Sequence, residues 1–237
     1  MERYIKHTNF APIGIEGQKR FLNSSVLIIG AGGLGTNFAS HFTRAGVGKI
    51  LVVDKDKVEL GNLQRQWLYD ETDIGQYKAV AAVNRLRKIN SEIRVDHLVD
   101  KVNSSNIDEL IKDFDLVVDA TDNFSTRLII DAACSRNSKP WVFSGILGAQ
   151  CQTMAVIPGK TRTLKDILNY DESSGHTSFA DIEPNAQSSV LAPSVSVISS
   201  MAVIICFKLL LNDYEDVANK LFVFDTWNNK LKSLTIQ

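Results

Sequence analysis

The spacing of apolar and polar positions changes in a regular way along this chain. Ser25–Ile29 (SVLII) is a continuous apolar run, as a strand buried on both faces requires, and Leu34–Ala45 follows with helical spacing. Lys49–Asp54 (KILVVD) predicts the next strand, and Tyr77–Ile89 puts Val80, Val83 and Leu86 on one face of a helix. Ile93–Val99 predicts a strand, Ile107–Lys112 a short helix, Leu116–Ala120 (LVVDA) a strand, Ser125–Arg136 a helix and Trp141–Ser144 a strand. Alternation of this kind implies a parallel sheet with helices on both faces.

The pattern then changes. Gln152–Ile157 (QTMAVI) predicts a strand, but Pro158 to Ser189 is polar, with Gly, Ser, Asp, Asn and Pro throughout. A segment of that length inside a compact domain is functional or disordered. Val190 to Leu211 is the longest apolar run, yet it contains Pro193, four serines and Lys208. That is too polar for a membrane span and predicts a buried helix rich in small residues. Leu221–Trp227 and Lys230–Ile236 flank Asn228-Asn229, which predicts a β-hairpin with a tight turn. The second half therefore extends the same sheet with antiparallel strands.

Composition narrows the partners. A chain of 237 residues, 44% hydrophobic and 22% charged, suits one large soluble domain with a well-buried core. A net charge of -1 gives no electrostatic reason for a nucleic-acid or membrane partner, and none is expected. Met1 to Lys6 lead into polar sequence without an apolar stretch. Three cysteines, Cys134, Cys151 and Cys206, stand at least 17 positions apart, which excludes a Cys-x-x-Cys zinc site and argues against a disulfide framework. The expectation is reduced, mostly buried thiols in a cytoplasmic protein.

GAGGLG, Gly30 to Gly35, follows a predicted strand and opens a helix. Glycines there let backbone N–H groups approach phosphates at the positive end of a helix. Asp54 comes 24 residues after Gly30, at the end of the next strand, where a carboxylate can accept ribose hydroxyls. Alone, this pairing says nucleotide, not which one. GNLQRQ, Gly61 to Gln66, separates the cases. A dinucleotide needs no second group of phosphate donors, whereas a triphosphate carries more charge further along. Arg65 can fork onto phosphate oxygens, Asn62 can donate to them, and Lys78 adds a cation from a second segment. DATDNFSTR, Asp119 to Arg127, lies where a strand ends and a helix begins, the ligand-binding edge of such a sheet. Asp122 there suits Mg²⁺, which takes few carboxylates together with phosphate oxygens. The structural alternative is that Asp122 or Asn123 only caps the helix.

These residues carry a family likeness. RYIKH (Arg3–His7), GQKRF (Gly17–Phe21), VLIIGAGGLG, LVVDKDKVELGNLQRQ, DIGQYKA, LVVDATDNFSTR and LAPSVSVISSMA together resemble the ThiF/MoeB branch of the ubiquitin-activating-enzyme superfamily, over nearly the whole chain. The resemblance implies an α/β fold, with a Rossmann-like mostly parallel sheet, helices on both faces and antiparallel C-terminal strands. It implies one adenylation domain over 1–237, with a nucleotide-binding half at 1–145 and a substrate-binding half at 146–237. The implied protein is a homodimer that uses ATP and Mg²⁺ to adenylate the C-terminal glycine carboxylate of a small ubiquitin-like sulfur carrier ending in Gly-Gly. Thiamine, molybdopterin and tRNA thiolation are the implied pathways. The implied nucleotide set is Gly30, Gly32, Gly33, Gly35, Asp54, Asp56, Gly61, Asn62, Leu63, Gln64, Arg65, Lys78, Asp122 and Asn123, with Asp122 on the metal.

The chain departs from the family pattern in three places. The paired Cys-x-x-Cys motifs that hold zinc in many relatives are missing after Pro158, so no zinc is expected. Asn185 stands where relatives often carry a cysteine, so the reaction is expected to stop at the acyl-adenylate. Lys6 stands where the family usually offers an arginine across the dimer to the partner's ATP, with Arg3 as the nearby alternative. Other readings are adenylation of a peptide, action on a carboxylate linked to tRNA, a NAD-dependent oxidoreductase, and a degenerate module that only binds a nucleotide or ubiquitin-like tail.

Overall fold

A computed structural model describes residues 1–168 and 189–236. Along the chain come α1 (Ile5–Thr8), α2 (Gly14–Asn23), β1 (Ser25–Ile29), α3 (Gly33–Ala45), β2 (Lys49–Val53), α4 (Lys78–Ile89), β3 (Arg94–Leu98) and α5 (Ile107–Ile111). Then follow β4 (Leu116–Asp119), α6 (Phe124–Arg136), β5 (Trp141–Leu147), β6 (Gln150–Val156), α7 (Leu164–Ile167), α8 (Ala192–Leu210), β7 (Lys220–Asp225) and β8 (Lys230–Thr235). The strands form one sheet in the order β3-β2-β1-β4-β5-β6-β7-β8. The strands from β3 to β5 run parallel, and β6, β7 and β8 each join antiparallel to the strand before.

The central strands bury both faces. In β1, Val26 and Ile28 enter one apolar cluster while Leu27 and Ile29 enter the other. The first cluster takes Phe38 and Phe42 of α3, Val83 and Leu86 of α4, and Ile198 and Cys206 of α8. The second takes Ile107 and Ile111 of α5 and Ile130 and Cys134 of α6. Side chains that alternate between two buried layers make a strand read as a continuous apolar run. Helix α8 is apolar and long enough to cross a membrane, but here it packs against α3, β5 and β6.

Two turns differ from the sequence expectation. Strands β5 and β6 are longer than predicted and form a hairpin closed at Leu147 and Gln150, where Gly148 takes φ +60°. The C-terminal hairpin pairs Asp225 with Lys230, so its connection is 226–229 and not an Asn-Asn pair alone. The Asp225 carboxylate fixes this wider turn by accepting the Asn228 N–H at 3.1 Å and Nδ2 at 2.8 Å, while the Thr226 N–H donates to the Ala149 carbonyl. Helices α1, α2 and α7 were not predicted.

Candidate active site

A cleft of about 1140 Å³ opens at the C-terminal ends of β1, β2 and β4. Strand order reverses beside β1, with β2 and β3 on one side and β4 on the other, and loops diverge there to leave a crevice. Gly30 begins the turn out of β1. It has φ +102°, and a Cβ there would lie 2.5 Å from the Ala120 carbonyl oxygen, so only glycine fits. The Gly32 and Gly33 N–H groups have no acceptor among the described residues.

Asp54 ties this turn to the end of β2. One carboxylate oxygen accepts the Ala31 N–H at 2.6 Å and the other accepts the Asp56 N–H at 2.7 Å. Burial pushes its carboxyl above the ordinary range, against the pull of those two donors and of Lys78. Asp56 is exposed, and its carboxyl is held below the ordinary range, first by a 2.8 Å hydrogen bond from Lys55 and further by Lys78.

The GNLQRQ stretch folds as a 3₁₀ turn over Leu60–Asn62 followed by a short irregular segment. The Asn62 side-chain oxygen accepts the Glu59 N–H at 3.2 Å, which leaves Nδ2 free to donate among the described residues. Arg65 spends Nη1 on the Gly61 carbonyl at 3.1 Å, and its other guanidinium donors have no partner there. Lys78 begins α4, a position the helix dipole disfavours for a cation. Its side chain is only 11% exposed and its Nζ lies 3.8 Å from Asp56. A cation at a positive helix end answers to an anion better than to solvent.

On the far wall, Asn123 caps α6 by accepting the Thr126 N–H at 3.0 Å. The cap thus belongs to Asn123. Asp122 is exposed at the cleft, and its carboxylate makes no hydrogen bond among the described residues. Beneath the turn, Asp119 is wholly buried and pairs with Arg127 at 3.1 Å, while the Thr121 N–H donates to Asp119 at 2.9 Å. Burial drives the Asp119 carboxyl upward, opposed by Arg127 and Thr121. Arg127 also donates to the Thr121 carbonyl at 2.8 Å, so this pair sets the course of the turn.

The cleft wall brings together Gly30, Gly32, Gly33, Asp54, Asp56, Asn62, Arg65, Lys78, Asp122 and Asn123. It does not include Gly35, Gly61, Leu63 or Gln64. Gly35 packs on the Gly30 carbonyl, and a Cβ there would overlap it. Leu63 packs on the apolar cluster, Gln64 is exposed, and Gly61 has open space around it. Lys6 lies on α1, exposed and outside this cleft. Arg3 is engaged at the end of α4, where it donates to the Ile89 carbonyl at 3.1 Å and lies 3.8 Å from Glu92. Asn185 and the middle of the polar segment lie outside the described residues. The Ser189 carbonyl accepts the Gly148 N–H at 2.7 Å, next to cleft-lining Leu147 and Val190.

Residue type and spacing did not single out Gln66 and Tyr69. Gln66 lines the cleft, is 3% exposed, and leaves its Oε1 without a hydrogen-bond partner among the described residues. A buried amide oxygen without a donor is costly, which marks the spot for a donor from a ligand or water. Cys151 also lines the cleft, but burial and then Asp225 push its thiol up to about 11.

Residues 4–237 match the ThiF family. The chain belongs to that family. It is 40% identical over 230 residues to the sulfur carrier protein ThiS adenylyltransferase of Bacillus subtilis, covering 96% of this chain and 66% of that one. It is 41% identical over 146 residues to the sulfur carrier protein adenylyltransferase of Thermus thermophilus, covering 62% and 54%. The chain thus spans about two thirds of the first relative, and its match covers about half of the second. The crystal structure of E. coli MccB with MccA-N7isoASN superposes with a TM-score of 0.83 at 24% identity, covering 99% of this chain and 72% of that one. That likeness is one of fold and agrees with the mostly parallel sheet and its antiparallel extension.

Proposed function

We propose that this protein adenylates the C-terminal glycine carboxylate of a small ubiquitin-like sulfur-carrier protein, using ATP and releasing pyrophosphate. The observation that carries this is the meeting of Asp54, Arg65, Lys78 and Asp122, from four separate segments, on one cleft wall. Asp54 receives the ribose. Arg65, Asn62 and Lys78 receive the phosphates. A carboxylate oxygen of the carrier attacks the α-phosphorus, the bond to the bridging oxygen of the β-phosphate breaks, and pyrophosphate leaves with that electron pair. Cations fixed before the reaction stabilise the charge that develops on the leaving group without reorganising. No protein nucleophile takes part. That suits the raised pKa of the cleft thiol, Cys151.

Asp122 fits a Mg²⁺ ion. Its exposed carboxylate makes no hydrogen bond among the described residues, and no group of three His, Cys, Asp or Glu side chains gathers there. A hard cation that takes most of its ligands from phosphate and water needs no more than that. When bound, it would neutralise phosphate charge.

The working form in this proposal is a homodimer, in which Lys6 reaches the partner's ATP. Support comes from the exposed apolar side chains Ile5, Phe10 and Ile15 around α1, and from Leu60 and Trp67 on the loop beside the cleft. Free, buried thiols suit a reducing compartment, the cytoplasm. The proposed function is tested by incubating the protein with Mg·ATP and a Gly-Gly-ended carrier, then weighing the carrier by mass spectrometry. A carrier heavier by one adenylyl group supports the proposal. An unmodified carrier, with ATP bound, contradicts it.

A further inference from the structure

Tyr69 takes no part in the motifs above, yet its hydroxyl joins the two sides of the phosphate site. It is 7% exposed. Its oxygen lies 2.8 Å from the Ala31 carbonyl and 3.1 Å from the Lys78 carbonyl, so its single proton is shared between them. Burial raises its phenol well above the ordinary range, which keeps the proton on the oxygen at neutral pH.

Ala31 is therefore pinned at both ends. Its N–H donates to Asp54 at 2.6 Å, and its carbonyl accepts from Tyr69. In a trans peptide the carbonyl of one residue and the N–H of the next point in opposite directions; no peptide bond among the described residues is cis. Drawing the Ala31 carbonyl inward onto the buried phenol turns the Gly32 N–H the other way, to the side where Gly32 lines the cleft. That N–H has no acceptor among the described residues. The contact with the Lys78 carbonyl ties the same peptide to the first residue of α4, which carries the phosphate-facing cation.

We propose that Tyr69 is a positioning residue that orients the Gly32 N–H, and holds the start of α4 in step with it, for binding the phosphates of the nucleotide. The inference rests on the ATP reading above. It does not make Tyr69 a catalytic residue, because the phenol reaches the ligand only through the two backbone segments it joins.

The test is Tyr69→Phe, which keeps the ring and removes the hydroxyl. Affinities for ATP and for adenosine are measured by calorimetry, beside the melting temperature. Affinity for ATP should fall about tenfold, in line with one lost hydrogen bond acting on a charged ligand, while that for adenosine stays within about twofold. Equal losses for the two ligands would mean that Tyr69 only supports the fold, and would overturn the proposal, as would no loss for either. Should Tyr69→Phe melt far below the wild type, replacing Tyr69 by p-aminophenylalanine keeps the ring and returns an N–H donor at the reach of the lost hydroxyl. Recovery of ATP affinity relative to adenosine in that variant supports the proposal, and recovery of melting temperature alone overturns it. A wild-type protein that binds no ATP would overturn the nucleotide reading, and this inference with it.

Discussion

Arg127 and Asp119 form an ion pair directly beneath the turn that carries Asp122: Nε lies 3.1 Å from a carboxylate oxygen that is wholly buried. Arg127 extends from the same pair to the Thr121 carbonyl. Replacing Asp119 by Ala leaves a guanidinium only 14% exposed without its counter-charge, a change that costs about 3 kcal/mol. Urea unfolding midpoints should fall accordingly for Asp119→Ala. They should fall less for Asp119→Asn, which keeps an acceptor. Equal midpoints for wild type and Asp119→Ala would remove the pair from the support of the site.

The segment between Arg65 and Lys78 is held by Asp70, whose carboxyl is lowered to about 2, first by the Thr72 hydroxyl and then by Arg85. The folded value lies below the unfolded one of about 3.9, so the stabilisation is present above the unfolded value and is lost as pH falls through the folded one. Thr72→Val should therefore melt below the wild type at pH 5, and the gap should shrink as pH falls towards 2 and close below it. A gap that is constant over that range would contradict the assignment.

Lys6 and Asp122 lie in different regions of one chain, Asp122 at the cleft and Lys6 outside it. If Lys6 serves the partner's site, Lys6→Ala and Asp122→Ala should each be inactive alone and complement each other when mixed. Half of randomly assorted dimers are mixed, and each has one intact site, so about a quarter of wild-type activity should return. Complete absence of recovery after subunit exchange would contradict action of Lys6 across the dimer, and full activity of Lys6→Ala alone would place Lys6 outside the mechanism.

Thiol chemistry should be absent from the reaction. With Cys151 pushed up to about 11 and Cys134 and Cys206 also raised by burial, native protein should react slowly with maleimide at neutral pH and fully after denaturation. Carrier and enzyme should not co-migrate on non-reducing gels. A thioester-linked species would contradict a reaction that stops at the acyl-adenylate.

The central strands are legible in the sequence because two helical layers bury both faces of β1, β2 and β4, so hydrophobicity does not alternate along them. The glycine turn, Asp54 and the Asn62–Arg65 stretch are legible because backbone sterics and charge chemistry restrict residue type. Helix α2 is not, since Gly14 and Gly17 weaken its local propensity and it is held by tertiary contacts: Gln18 donates to the Ala45 carbonyl at 2.8 Å, and Phe21 packs on Phe207. Gln66, Tyr69 and Asp119 escape for a related reason. Each is an ordinary polar residue whose role arises from burial beside the turn, and burial at one position is not written in its neighbours. The Asn228-Asn229 turn signal was misleading because Asp225 and Thr226 spend their polar groups on a wider loop.

The most direct test is ATP–pyrophosphate exchange with and without a ubiquitin-like protein ending in Gly-Gly from the same organism, in wild type and Asp122→Ala. Exchange should require the carrier and should be abolished by Asp122→Ala, because only an acyl-adenylate formed at this cleft can return its adenylyl group to pyrophosphate. Exchange that persists without Asp122, or its absence with every carrier despite tight ATP binding, would contradict carboxylate adenylation at this site.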